Sequence, residues 1–174
     1  MKHLLLMRHA KAATDAPGLA DRERALVARG TRDAALIGKT IAIDPPDAVL
    51  CSPAKRTRET LAAILPQLDP APAVAILEAL YAAPAEYMQT IAANGASADR
   101  LLVVGHNPAI HVTALLLAGR RPPKLREKMT AKFPTAALAI IAFDATSWAD
   151  ILPGTGELLA FLRPADLGAG NGDD

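Results

Sequence analysis

Cysteine and aromatic residues are scarce in this chain of 174 residues, and long apolar runs are missing. The single cysteine, Cys51, cannot form an internal disulfide, which favours a reducing compartment. Aromatic residues make up 3% of the chain, too few for the stacking surfaces that bind single-stranded nucleic acid. No stretch approaches the roughly 18 apolar residues of a membrane span. The composition therefore predicts a cytoplasmic protein that binds neither nucleic acid nor membranes.

A strong charge of one sign is also missing, because the formal net charge is +1. Hydrophobic residues make up 51% and charged residues 21% of the chain, which is enough apolar material for a buried core. The length suits one domain. We expect a single domain over residues 1–167 and a frayed, Gly- and Asp-rich tail over residues 168–174. A monomer is favoured, although nothing in the sequence specifies the oligomeric state.

Short apolar runs alternate with segments of helical periodicity. The predicted strands are Leu4–Met7, Ala48–Cys51, Val74–Leu77, Leu101–Val104 and Ala137–Phe143, with a weaker one at Leu158–Leu162. The predicted helices are Thr31–Ile41, Pro53–Leu68, Pro84–Ala93 and Pro108–Ala118, the last ended by Gly119. This alternation predicts an α/β three-layer sandwich, in which helices cover both faces of a mostly parallel sheet.

Polar and charged side chains follow three of the predicted strands. The first strand ends in Arg8 and His9, and the second leads through Ser52 and Pro53 to Arg56. Ser52 suits a helix cap and Pro53 a first helical position, which would place Arg56 in the first turn. Backbone N–H groups and the helix dipole favour anions there.

The fourth strand repeats this pattern with His106, then Asn107 as the cap and Pro108 behind it. Because ligands bind beyond the carboxyl ends of strands in open α/β sheets, these side chains should converge on one crevice. Arginine guanidinium groups match phosphate oxygens bidentately, so the convergence predicts a phosphate site. Each residue alone has an ordinary explanation as a surface charge or a helix cap. Such explanations do not account for the occurrence of these residues at three strand ends together.

The ordered set of motifs resembles the histidine phosphatases, the phosphoglycerate mutase-like superfamily, and within it the branch of small bacterial phosphohistidine phosphatases. The motifs are Arg8-His9-Ala10-Lys11, Ser52-Pro53 followed by Arg56, Val104-Gly105-His106-Asn107-Pro108, and Lys132-Phe133-Pro134-Thr135. Two positions depart from the pattern. Ala10 replaces a glycine, and Val27 stands where many relatives have a threonine that caps a helix, which should cost a little stability.

The resemblance implies a phosphoglycerate mutase-like fold and a phosphatase that acts through a covalent phosphohistidine. His9 would be the nucleophile, Arg8 and Arg56 would hold the phosphate, and His106 would complete the pocket. A neutral imidazole is a competent nucleophile, and its second nitrogen should donate to a backbone carbonyl. A protonated His106 and the two arginines would neutralise the phosphoryl oxygens. Ser52 and Asn107 are further candidates for substrate binding.

The proton donor is open at this stage. Larger relatives place a carboxylate after the third strand, where Glu78 stands in this chain. Asp15 and Asp21, in the segment after His9, are rivals. An imidazole leaving group would make a strong acid less necessary.

No cofactor and no metal are expected, because no metal-ligand motif is present and the arginines would repel a cation. The expected partner is a phosphorylated small molecule or a phosphohistidine protein. Two alternatives remain: an acid phosphatase for small metabolites such as sugar phosphates, and a non-catalytic module that binds phosphate or phosphohistidine. Arg120–Lys132 is interpreted as a basic loop beside the crevice, either attracting an acidic partner or simply solvated.

Overall fold

The computed structural model describes residues 1–14, 17–81, 85–95 and 98–168. The strands are β1 (Lys2–Arg8), β2 (Ala48–Cys51), β3 (Ala73–Ile76), β4 (Arg100–Gly105), β5 (Ala118–Arg120), β6 (Leu138–Phe143) and β7 (Gly156–Leu162). The helices are α1 (Ala28–Ile41), α2 (Lys55–Ile64), α3 (Ala85–Asn94), α4 (Ala109–Leu117) and α5 (Pro123–Ala131). None of the helices in these ranges is long and apolar enough to cross a membrane. Asp15, Pro84 and the tail beyond Gly168 lie outside the described residues.

All seven strands form one sheet in the order β3-β2-β4-β1-β6-β7-β5. β6 pairs antiparallel with both of its neighbours, and the other pairings are parallel. One apolar cluster joins α1 and α2 to a face of the sheet, and a second joins α3, α4 and α5 to the other face. The predicted three-layer α/β sandwich with a mostly parallel sheet is therefore confirmed.

The central strand β1 shows why its sequence is continuously apolar. Leu4 and Leu6 pack into one core cluster, whereas Leu5 and Met7 pack into the other. A strand buried on both faces has no polar side to alternate with, so periodicity of two is lost. Burial on both sides also fixes the position of the carboxyl end of β1, where Arg8 and His9 lie.

Two sequence predictions for the segment that follows α4 were wrong. Gly119 does not end a helix; it lies in β5, where a Cβ atom would stand 1.8 Å from the carbonyl oxygen of Gly154. The glycine is required by this close approach of two backbones. Arg120–Lys132 is not a loop, because it contains the end of β5 and the whole of α5.

Candidate active site

The carboxyl ends of β2, β4 and β1, which are neighbours in the sheet, surround one open cleft. Its volume is about 320 Å³. The described residues that line it are Arg8, His9, Lys11, Ala12, Ala13, Thr14, Arg24, Arg56, His106, Asn107 and Thr135. This lining brings together four cationic side chains and two imidazoles, and it includes no carboxylate. The predicted convergence of three strand ends is confirmed.

His9 is held in one tautomer at the floor of the cleft. Its Nδ1 lies 2.8 Å from the carbonyl oxygen of Ala10 and must donate to it, because a carbonyl only accepts. The Nε2 atom therefore keeps its lone pair. Burial lowers the pKa of His9 to about 3, although the Ala10 carbonyl opposes this shift, and His106, Arg56 and Arg8 lower the pKa further. At neutral pH His9 is thus an uncharged base with a defined nucleophilic nitrogen.

The turn that carries His9 is tied to both helices of the neighbouring layer. The N–H of Ala10 donates to Thr60 Oγ1 of α2 over 2.9 Å. The carbonyl of Lys11 accepts from the N–H of Val27, at the start of α1, over 3.0 Å. A Cβ atom on Gly30 would stand 2.2 Å from that same carbonyl oxygen, so only glycine lets α1 approach this closely. Val27 makes no side-chain cap, as predicted.

Arg8 enters the cleft from the end of β1, and Arg56 enters it from the first turn of α2. Arg8 Nη1 donates to the Phe133 carbonyl over 3.0 Å, which orients the guanidinium at the end of β1. Arg56, in the first turn of α2, is 5% exposed. Its Nη1 and Nη2 atoms donate to the carbonyl and carboxylate of Asp21 over 2.7 Å and 3.0 Å. Its buried Nε has no hydrogen-bond partner among the described residues. One edge of this guanidinium therefore remains for an anion.

Asp21 anchors Arg56 and does not fit the role of a general acid. Its carboxylate accepts from the Tyr81 hydroxyl over 2.7 Å and from Arg24 Nε over 3.0 Å. The hydrogen bond from Tyr81 and the contacts with Arg56 and Arg24 lower the pKa of Asp21 to about 2. A carboxylate with this pKa carries no proton at neutral pH.

His106 faces His9 across the cleft, with ring centroids 5.2 Å apart. Its Nε2 lies 2.7 Å from Ser52 Oγ, and its buried Nδ1 has no hydrogen-bond partner within the described ranges. Burial first, and then the charge of Arg56, lower the pKa of His106 to about 4. In the free protein the buried ring beside cationic arginines is therefore neutral at pH 7, whereas the sequence predicted a protonated His106 in contact with the phosphoryl oxygens.

The sequence predicted that Ser52 and Asn107 cap helices, and this prediction was wrong. The residue before α2 is Ala54 and the residue before α4 is Pro108. Ser52 is fully buried and binds His106, so it contacts the site indirectly and does not line the cleft. Asn107 does line the cleft, and its Nδ2 donates to the Phe133 carbonyl over 2.9 Å. Both side chains therefore hold parts of the site together.

Glu78 stands at the rim and not in the cleft. Its side chain is 73% exposed and pairs with Arg22, whose guanidinium lies over the ring of Tyr81. The Tyr81 ring in turn meets His106 edge-on, with centroids 5.4 Å apart. Glu78 follows β3, as the sequence predicted, but it is not among the described residues that line the cleft. Asp15, the remaining rival, lies outside the described residues.

Cys51 and the histidines offer no second chemistry in the described structure. Cys51 is fully buried, and burial raises the pKa of its thiol to about 12, so the thiol is unreactive at neutral pH. Across the described ranges, no three His, Cys, Asp or Glu side chains lie close enough to hold a metal ion.

Sequence reasoning missed several side chains of the site. Lys11, Arg24 and Thr135 line the cleft. Tyr81 and Thr60 contact residues of the site, because Tyr81 donates to Asp21 and Thr60 accepts from the N–H of Ala10. Lys11 and Thr135 belong to motifs already noted, so a role for them was within reach. Arg24 and Tyr81 stand in segments without periodicity, and only the folded chain shows that both meet Asp21.

Comparison with known proteins agrees with this geometry. Residues 4–81 match the Histidine phosphatase superfamily (branch 1). An uncharacterized protein of Mycobacterium tuberculosis is 41% identical over 163 residues, which cover 91% of this chain and 99% of that protein. The structure of SixA from Nakamurella multipartitia, assigned as a phosphohistidine phosphatase, has a TM-score of 0.80 at 30% identity. That match covers 94% of this chain and 96% of the SixA chain.

A second solved structure, the protein histidine phosphatase SixA complexed with tungstate, has a TM-score of 0.71 at 25% identity. The match covers 95% of this chain and 99% of that one. Both matches extend over nearly the whole of this chain. This chain belongs to the histidine phosphatase superfamily, with its phosphoglycerate mutase-like fold, and to the small SixA-like branch of that superfamily.

Proposed function

We propose that this protein hydrolyses phosphohistidine and related phosphoramidates through a covalent phosphohistidine on His9, without a metal. The observation that carries the proposal is the hydrogen bond from His9 Nδ1 to the Ala10 carbonyl. It leaves the Nε2 lone pair in a cleft lined by arginines. The family supports phosphatase activity, and the site supports this particular route.

In the first step His9 Nε2 attacks phosphorus, and the bond from phosphorus to the leaving nitrogen breaks. The electron pair stays on the leaving imidazole, which departs as a neutral ring when its other nitrogen is protonated. The phosphorylated His9 ring becomes cationic, and its Nδ1–H continues to donate to the Ala10 carbonyl, which stabilises that charge. In the second step water attacks phosphorus, releases inorganic phosphate and restores the neutral His9.

Charge on the phosphoryl oxygens would be stabilised by groups that are already in place. Arg8 and the Nε edge of Arg56 are positioned donors, and such preorganised donors are usually the largest contribution to phosphoryl transfer. Arginine charge supplies what a metal ion supplies in other phosphatases, which is why we propose that none is required.

His106 would donate to the phosphoryl group as a neutral imidazole. Its buried Nδ1 suits an anionic acceptor, provided that this nitrogen carries the proton. Ser52 Oγ–H would then donate to Nε2 over the observed 2.7 Å, which is compatible with that tautomer. His106 would then have the same Nδ1–H tautomer as His9, whose tautomer is set by the Ala10 carbonyl.

The substrate class is supported by the absence of a carboxylate from the described cleft lining. An imidazole leaving group needs little acid help, whereas an alkoxide needs a proton donor. Glu78 would have to leave Arg22 and turn inward to serve as that donor for alkyl phosphates. The similar SixA structures are described as histidine phosphatases, one of them complexed with the oxyanion tungstate.

A hydrolysis panel tests the proposal. The panel compares a phosphohistidine peptide, phosphoramidate, a sugar phosphate and phosphoglycerate, with His9→Ala as the control for contaminating activity. We expect kcat/KM to be highest for the two substrates with phosphorus–nitrogen bonds. A higher value for the sugar phosphate would instead establish the small-metabolite acid phosphatase. Binding of phosphohistidine without turnover of any substrate would establish the non-catalytic module.

A further inference from the structure

The positive charge of the chain is concentrated in residues 120–132, which include β5 in part and all of α5. This segment carries six basic residues and one acid, Glu127, a formal charge of +5. Since the whole chain carries +1, the remaining residues carry −4. A solvated surface does not require such segregation, and a concentrated field of one sign steers partners of the opposite sign.

The position of α5 connects this charge to the cleft. The helix starts beside β5, the edge strand of the sheet, and its apolar side, with Leu125 and Met129, packs into the core. Two residues after its end, the Phe133 carbonyl accepts from Arg8 and Asn107 at the centre of the sheet. Nine helical residues span ~13 Å, about the width of three strands. α5 thus leads from the sheet edge to the substrate phosphate site.

Two arginines on this route are available for an anion. Arg121 and Arg126 line the same surface cavity, which has a volume of about 360 Å³ and is also lined by one acid, Glu127. Neither forms an ion pair with any residue in the described part of the chain, and Arg121 Nε is buried without a hydrogen-bond partner there. By contrast, Lys128 pairs with Asp166 and Arg120 with Glu157. Guanidinium groups bind carboxylates bidentately, so the pair suits acidic side chains.

We propose that Arg121 and Arg126 form a docking surface for an acidic segment of the phosphohistidine protein whose phosphorylated histidine occupies the cleft. The proposal rests on the proposed function, because the cleft must accept phosphohistidine. The acidic segment lies along α5 while the phosphorylated ring reaches His9. A tail of about six extended residues spans ~20 Å and is long enough to make both contacts.

Two phosphohistidine peptides test this surface, one with a tail of about six Asp and Glu residues and one with a serine tail of the same length. The double variant Arg121→Gln/Arg126→Gln is compared with Arg32→Gln/Arg58→Gln. The control arginines are exposed on α1 and α2, on the opposite face of the sheet, and removing them changes the net charge by the same amount. Arg126→Glu alone, at an exposed position, guards against misfolding of the double variant.

For the wild type we expect kcat/KM about tenfold higher with the acidic tail, and about equal values for both peptides near 0.5 M salt. The ratio should fall to about one in Arg121→Gln/Arg126→Gln and in Arg126→Glu, and it should persist in the control. Turnover of the serine-tailed peptide should be the same in all four proteins. A wild-type ratio of one, or the same ratio in the double variant and the control, overturns the docking surface while leaving the proposed function intact.

If the wild type hydrolyses neither peptide, the proposed function fails and binding decides the docking surface separately. Fluorescence anisotropy then measures the unphosphorylated acidic-tailed peptide against the same proteins. Salt-sensitive binding that is lost only when Arg121 and Arg126 are replaced supports the surface. Equal binding to every variant, or no binding, overturns it. Binding of tripolyphosphate at this cavity in preference to the acidic peptide also overturns it, because the surface would then serve a small polyanion.

Discussion

Titration of His9 should make the folded protein less stable in acid by an amount that the site geometry specifies. Burial lowers the pKa of His9 from 6.5 to about 3 in the folded chain, whereas the unfolded chain keeps the ordinary value. Between these two values the unfolded state binds more protons than the folded state. Stability is therefore fully present above pH 6.5 and is lost as the pH falls toward 3.

The size of the effect follows from the shift. From pH 7 to pH 5 the unfolded histidine takes up nearly one proton that the folded one refuses, which costs about 2 kcal/mol. His9→Ala removes this titration. The cavity that the substitution leaves costs the same at both values of pH, so it cancels when the change in stability with pH is compared. His9→Ala should therefore lose about 2 kcal/mol less than the wild type over this interval.

Urea unfolding followed by far-ultraviolet circular dichroism at pH 7 and pH 5 measures both changes. The wild type also loses stability through His106, whose pKa is lowered to about 4 by burial, and this contribution remains in the variant. Parallel pH dependence of the two proteins would refute the reasoning. It would mean that the fold leaves the pKa of His9 near its ordinary value of 6.5.

Four further outcomes follow from the contacts of the site. Ser52→Ala should lower kcat roughly tenfold with little change in KM, because the His106 ring loses its hydrogen-bond partner. Ser147→Ala, at an exposed position, is the matched control. Equal rates in both variants would mean that Ser52 does not support catalysis. If Glu78 turns inward as a general acid, Glu78→Gln should slow the hydrolysis of alkyl phosphates by ~10²-fold or more. The hydrolysis of phosphoramidates should then slow by less than about tenfold. Asp21→Asn should affect both substrate classes alike, because an Asp21 with a pKa of about 2 carries no proton to give, and a selective loss for alkyl phosphates would contradict this. Chelators should leave the activity unchanged, and vanadate should inhibit the protein because the arginines bind this oxyanion. Reactivation of a chelator-treated sample by zinc or magnesium would contradict a metal-free site.

The fold and the convergence of the cleft residues were predictable because they depend on local patterns. Apolar runs buried on both faces identify strands, and residues that follow parallel strands meet at one sheet edge. β5 was missed because it has three residues, two of them exposed, and carries no apolar run. The basic α5 was missed because its apolar side consists of little more than Leu125 and Met129.

Details of the site required the folded chain. Ser52 and Asn107 have the right chemistry for helix caps, and only tertiary contacts assign them to His106 and the Phe133 carbonyl. The neutral state of His106 could not be read from the sequence either, since it results from burial and from the nearby charge of Arg56. Asp21 was identified as a possible acid by its residue type and its place after His9, whereas its contacts with Tyr81 and Arg56 make it an anchor.

The covalent step on His9 is tested most directly by trapping the phosphoryl group. Wild type and His9→Ala are mixed with radiolabelled phosphohistidine peptide, quenched in base within the first turnover, and digested for mass spectrometry. We predict close to one acid-labile, base-stable phosphoryl group per chain on His9 of the wild type, attached at Nε2 as ³¹P NMR distinguishes, and none in His9→Ala. Turnover without label on His9, or label on another residue in both proteins, would contradict the account.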